Sequence, residues 1–333
     1  MKVISQRMRA GKPGINVRIL LLIVVLVGAT LFFGIRDRRF LAPLSISSIA
    51  FQCPEIGFLG LGMALTMIVG GVNLSINDTA NLSALVAGLF LLNVAPILTQ
   101  NASFSVGIAV IISLGIGILC GVVNGFLIGY VGAPPILVTL ATLTLYRGIS
   151  VVITGGKSLT GFQKELALIG HGVVGGIPIS FLLFIFFIVA IHMVLERTSF
   201  GFKVRMVGTN YLAAKFSGIH NKLIILRMYI LSGFLGAIAG IIIMSRTNSV
   251  AYEYGTRTYI LLTLLISVLG GISPGFGSVF GIFLATLILQ VLSTGFQMVL
   301  SGIRGSAFFK DFSWGVIFIL FLIIDRLVRS LRK

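Results

Sequence analysis

The chain has 333 residues, of which 57% are hydrophobic and only 10% charged, with a mean hydropathy of +1.12. Soluble proteins carry roughly 25% charged residues, so a water-soluble globule of this size is excluded and the bilayer has to be the solvent. The excess of 25 Lys and Arg over 8 Asp and Glu, a net charge of +17, reads here as charge flanking membrane spans and setting their orientation rather than as a nucleic-acid surface.

The first 18 residues are polar and basic (Lys2, Arg7, Arg9, Lys12, Arg18) and precede an apolar run, Ile19–Phe33, without a small-residue cleavage pattern. That run reads as a first span rather than a removed signal peptide. Apolar windows fall at 17–35, 49–70, 79–99, 104–130, 136–153, 177–195, 223–243, 259–270, 278–300 and 312–325. They predict an all-α polytopic membrane protein of about ten transmembrane helices. The eighth window is short and interrupted by glycine, and the 41 glycines suit close packing between membrane helices. The expected organisation is a basic cytoplasmic terminus (1–18), one membrane domain (19–325) and a second basic cytoplasmic terminus (326–333).

Two connections are long, 154–176 and 196–222. With the N-terminus inside, 15 basic residues fall on the cytoplasmic side and 9 outside, the 196–222 region supplying Arg197, Lys203, Arg205, Lys215 and Lys222. This predicts both termini and loop 196–222 in the cytoplasm, and loop 154–176 outside. Within the cytoplasmic loop, Gly208-Thr209-Asn210 reads as a turn and Tyr211–Phe216 as a short helix, closed by Ser217-Gly218.

The chain offers little of the chemistry an enzyme or pump requires. The segment VVITGGKS (151–158) has the Gly-Lys-Ser of a phosphate loop, but Val151 stands where the first glycine is needed. It reads as a helix end running into a solvated loop. His171, His192 and His220 lack metal-ligand spacing, and Cys53 and Cys120 lie in apolar runs. Neither a catalytic residue nor a metal site is expected. The charged or ionisable groups within the spans are Glu55, Asp78, Arg147 and His192. Glu55 reads as either an outer-edge residue or a lining residue, Asp78 as a helix N-terminal charge, Arg147 as a snorkelling side chain and His192 as interfacial.

Four segments in order resemble the permease subunit of bacterial ATP-binding-cassette importers for simple sugars, the ribose-type branch. GMALTMIVGGVNLSIND (62–78) resembles the family's Gly-Gly-Ile-Asp-Leu-Ser region. GVVNGFLIGYVGAPPILVTLATLTLYRGIS (121–150) resembles its Asn-Gly…Pro-Pro…Arg-Gly run. TSFGFKVRMVGTNYLAAKFSGI (198–219) resembles its cytoplasmic loop, and ISVLGGISPGFGSVFG (266–281) its Leu-Gly-Gly-x-Ser segment. The chain departs from the pattern at Asn73, where the family carries Asp, at Asn77-Asp78, where Gly-Ser is usual, and at Phe276, where a glycine is usual.

The resemblance implies a vitamin-B12-importer-like (type II-like) permease fold in the bacterial cytoplasmic membrane. Its implied partners are a cytoplasmic ATPase, an external solute-binding protein and a second permease copy or sister permease. ATP and Mg would be bound on the ATPase and no cofactor on this chain. The coupling loop that meets the ATPase would be carried by Gly208, Asn210, Ala213, Ala214, Ser217, Gly218 and Ile219. For the solute path, the neutral polar residues Asn73, Ser75, Asn81, Asn124, Thr139 and Thr142 suit an uncharged polyol, or else join helices by hydrogen bonds. A permease for a branched-chain amino acid or nucleoside, and an ATP-independent carrier, are the competing readings.

Overall fold

The computed structural model describes residues 17–98, 101–256 and 258–300, with 314–316 and 319. Among these, eight helices are long and apolar enough to cross a membrane. In chain order the elements are α1 (Val17–Arg36), α2 (Pro43–Ile68), α3 (Ile76–Leu89), α4 (Ala102–Phe126) and α5 (Pro135–Thr154). Next come β1 (Leu159–Thr160), α6 (Lys164–His171), β2 (Val173–Val174), β3 (Ile177–Pro178) and α7 (Ile179–Arg197). Then follow α8 (Ser199–Thr209), α9 (Tyr211–Phe216), α10 (Asn221–Thr247), β4 (Ser249–Val250), α11 (Thr258–Leu269) and α12 (Val279–Val299). Nine of the ten apolar windows coincide with helices; the tenth, 312–325, lies almost wholly outside the described residues.

The layering follows from which helices carry small residues all round. In α10 and α2, 83% and 78% of the spanning window is buried, against 17% in α1. Hydrophobicity does not sort helices in lipid, because lipid tails are as apolar as leucine; closeness of packing does. Gly117, Gly121 and Gly125 in α4, and Gly129 in the π-helical turn that continues it, recur every fourth residue and so form one stripe. That stripe meets α10. A Cβ on Gly117 would stand 2.5 Å from the Gly233 carbonyl oxygen, and one on Gly121 2.5 Å from that of Tyr229. On another face of α10, Gly236 and Gly240 approach the backbone of α3 at Ile76 and Ala80. Helix α10 is thus seated backbone against backbone between α3 and α4, with α2 beside it.

Helix ends are set by local chemistry. Pro43 occupies the first turn of α2, where its missing N–H costs nothing. The helix therefore starts six residues before the apolar window at 49, and Ser45 in that added turn donates to the Arg39 carbonyl at 2.7 Å. Helix α5 ends in Gly155 and Gly156, both at positive φ, so the Gly-Lys-Ser stretch is a helix stop. The 154–176 connection folds onto α10: β1 pairs antiparallel with β4, and Gly170 N donates to Ser245 Oγ at 2.7 Å. Helix α11 has 12 residues, too few for a bilayer core of about 30 Å.

Substituting Gly121→Val places two methyl groups against the Tyr229 carbonyl. We expect it to cost about 1–3 kcal/mol, read as a lowered thermal midpoint in detergent, whereas Gly107→Val, at a position open on its outer side, leaves the midpoint unchanged.

Candidate functional site: a polar relay and a cytoplasmic-loop joint

Five of the six residues singled out for a solute path meet in one place. The link from α2 to α3 turns at Gly70 (φ +87), and Asn73 follows in irregular chain. Asn73 Nδ2 donates to Ser232 Oγ on α10 at 2.9 Å, and Ser75 Oγ donates to Asn73 Oδ1 at 2.8 Å. Asn124 Nδ2 on α4 donates to Ser75 Oγ at 2.9 Å, and Thr142 Oγ1 on α5 donates to Asn124 Oδ1 at 2.7 Å. Thr139 Oγ1, one turn away, donates to the Val72 carbonyl at 3.0 Å. All of these side chains are buried. A relay of five side chains therefore runs Thr142–Asn124–Ser75–Asn73–Ser232 and ties α4, α5 and α10 to one link.

Asn81 stands apart. Its Nδ2 donates to the carbonyls of Tyr252 and Tyr254, at 3.1 and 2.9 Å, and Asn77 Nδ2 also donates to Tyr254 O at 2.9 Å. Two amides on α3 thereby hold the turn 251–256 between β4 and α11. The departures at Asn77 and Asp78 serve different partners. Asp78, buried, receives Arg147 Nε at 3.0 Å and Nη2 at 3.4 Å from α5. Arg147 was expected to snorkel; a carboxylate on a neighbouring helix gives it a partner within the protein instead.

Glu55 is also fully buried, midway along α2. It accepts from Arg246 in the last turn of α10, from Tyr254 Oη at 2.9 Å, and from Tyr259 Oη. Because α2 begins at Pro43, Glu55 stands twelve residues into the helix, level with the last turn of α10, and its charge is met by one guanidinium and two phenols. Burial first, and then the Glu55 carboxylate, push the Tyr254 phenol up to about 12, so it stays protonated as a donor. Nothing in local periodicity joins Arg246, Tyr254 and Tyr259 to Glu55.

The cytoplasmic-loop residues form a second assembly. Asn210 is extended (φ −157, ψ 104), and its Oδ1 accepts from Ala213 N at 3.0 Å, capping α9. At the other end Ser217 N reaches Ala213 O, Gly218 N reaches Lys215 O, and Ile219 N reaches Ala214 O, with Gly218 at φ +77. Ala214 is fully buried and Ala213 faces outward. Gly208 and Thr209 are not turn residues as expected: both lie in α8, and the chain breaks only at Asn210. Gly208 is a close-approach residue, whose Cβ would overlap the Ile68 carbonyl oxygen and stand 2.5 Å from Gly275 N. Gly275 N itself donates to Ile68 O at 2.8 Å. Backbone from segments 62–78, 198–219 and 266–281 therefore converges on one point.

What sequence reading missed is the outward face of α9. Leu212 and Phe216, one turn apart, are 63% and 88% exposed, with Tyr211 also exposed and Lys215 between them. The signal was present as an i, i+4 apolar pair in a helix too short to need a second buried face.

The sequence profile of the family described as branched-chain amino acid transport system / permease component matches residues 45–324. The chain belongs to this permease family. It is 31% identical over 298 residues to the ribose import permease protein RbsC of Bacillus subtilis, covering 88% of each chain. It is 28% identical over 321 residues to the autoinducer 2 import system permease protein LsrC of Escherichia coli, covering 93% of this chain and 90% of that one. It is 31% identical over 288 residues to the corresponding LsrD of Klebsiella pneumoniae, covering 84% and 83%. No solved structure matches the chain. The protein is thus a multi-pass transport permease, the membrane component of an ATP-binding-cassette import system, and its relatives are permeases rather than enzymes.

Asn124→Ala leaves Ser75 and Thr142 without their shared partner, and we expect a loss of about 1–3 kcal/mol in detergent-unfolding experiments. Glu55→Gln strands Arg246 beside a neutral amide and lowers the thermal midpoint, and adding Arg246→Gln recovers part of the loss.

Proposed function

We propose that the permease imports a simple sugar or related polyol, delivered to its outer face by a solute-binding protein and driven by ATP hydrolysis on a separate cytoplasmic ATPase. The observation that carries the reading is α9: a short helix, capped at both ends, presenting Leu212 and Phe216 on a basic loop while Gly208 behind it presses on the Ile68 carbonyl. An exposed aromatic and leucine on a rigid helix suit a groove on a soluble partner. In this reading ATP and Mg sit on that partner, both termini and α9 face the cytoplasm, and the path is completed by a second permease copy or a sister chain.

Mechanically, a push on α9 passes through α8 to the end of α2 and into the link carrying Asn73. The Thr142–Asn124–Ser75–Asn73–Ser232 relay is the element that has to rearrange when the link moves, and its hydroxyl and amide groups can exchange partners with the hydroxyls of a polyol. The preference for an uncharged solute rests on charge pairing. Asp78 is neutralised by Arg147 and Glu55 by Arg246, so neither carboxylate is left to hold the ammonium of an amino acid and neither guanidinium to hold its carboxylate. The relatives named for ribose and autoinducer 2 import support a non-amino-acid solute.

Leu212→Glu with Phe216→Glu is expected to abolish co-purification of the ATPase and lower uptake at least tenfold, with unchanged yield and thermal midpoint of the permease. In proteoliposomes with ATPase and binding protein, labelled ribose uptake competed by other pentoses and not by leucine supports the solute assignment. Uptake competed by leucine alone overturns it, and uptake by the permease without ATPase overturns the coupling.

A further inference from the structure

A cavity of about 1010 Å³ opens between α1, α7 and the α11–α12 connection, on the side that carries α8 and α9. Among the described residues its polar side chains are those of Arg18, His192, Glu196, Arg197, Arg205 and Ser278. Glu196 is matched to Arg205, which also donates to the Gly277 carbonyl at 3.1 Å. Arg18 donates to the Val268 carbonyl at 2.7 Å, which fixes its guanidinium at the cavity wall. Nothing among the described residues pairs with the Arg197 guanidinium, and the buried Nδ1 of His192 has no hydrogen-bond partner there. Among the described residues of the wall the one carboxylate, Glu196, is taken by Arg205, so Arg197 contributes an unmatched positive charge. Its remaining wall is apolar, with Leu22 on α1, Ile188 on α7 and Phe280 on α12.

The position in the chain matters as much as the charge. Arg18 opens the first span and Arg197 closes the span of α7, so the basic rim stands where hydrocarbon gives way to headgroups, and the apolar wall runs into the bilayer. A free anion would use the rim and leave the apolar wall idle. We propose that this cavity is a binding site for an anionic phospholipid, its headgroup phosphate held by Arg197 and His192 and one acyl chain lying along Leu22, Ile188 and Phe280. A cytoplasmic-leaflet lipid in a basic pocket between helices is the physical class of contact involved. Because Arg205 belongs to α8, a lipid here would also touch the element that leads to α9.

The test uses the full chain purified in mild detergent and stripped of lipid, titrated with short-chain phosphatidylglycerol or phosphatidylcholine and read by native mass spectrometry. We expect a one-to-one phosphatidylglycerol adduct, with phosphatidylcholine binding more weakly. Arg197→Gln should weaken the phosphatidylglycerol adduct about fivefold, Arg197→Lys should restore most of it, and Lys157→Gln, on the opposite side, should change nothing. Equal binding of both lipids, or wild-type binding by Arg197→Gln at an unchanged thermal midpoint, overturns the proposal. Displacement of the lipid by millimolar inorganic phosphate also overturns it, in favour of a free-anion site.

Discussion

Direct backbone-to-backbone contact around α10 is the constraint on which the rest of the structure depends. Inside a bilayer no hydrophobic force presses helices together, and a buried polar group has no water to turn to. Gly117, Gly121 and Gly233 let α4 and α10 come close enough for dispersion contacts to accumulate. The same closeness brings Asn124 on α4, Ser232 on α10 and Asn73 on the α2–α3 link within reach of a shared hydrogen-bond relay. With wider spacing these amides and hydroxyls would each lack a partner, at a cost of several kcal/mol per group in an apolar medium. Packing and polar satisfaction are therefore one requirement here.

Charge is handled by the same rule. The buried carboxylates Glu55 and Asp78 each meet a guanidinium from another helix, and Glu55 recruits two phenols besides. The pairs act on different joints. Asp78 with Arg147 clamps α3 to α5, whereas Glu55 with Arg246, Tyr254 and Tyr259 clamps the middle of α2 to the end of α10 and the start of α11. Asn77 and Asn81 hold the intervening turn from the side of α3. Together they hold the short α11 in place although it cannot span the bilayer by itself.

The helical class, nine of the ten apolar windows and the short α9 were legible in the sequence because each is a local matter of apolar length, capping residues and turn glycines. The short helix at Tyr211–Phe216 and Gly218 as its stop needed no knowledge of the fold. Gly208 did: a glycine beside Thr209 and Asn210 has the composition of a turn, and only the Ile68 carbonyl pressed against it reveals that its missing side chain serves contact. The partners of Glu55 and Arg147 were illegible for the same reason, being set by how helices are stacked. The polar residues at 73, 75, 124, 139 and 142 were identifiable as a set, but sequence could not separate one relay from Asn81, whose partners lie on the 251–256 turn.

The joint at Gly208, Ile68 and Gly275 has a mechanical consequence. Where two elements touch through long side chains, a displacement is partly absorbed by rotamer changes before the next element feels it. Here main chain rests on main chain, so this contact has almost no compliance and behaves as a rigid stop. Variation can accumulate on the outward side of α9, where Leu212 and Phe216 can be exchanged to suit a different partner surface. It cannot accumulate behind the helix, where one added methyl group would hold the joint permanently ajar.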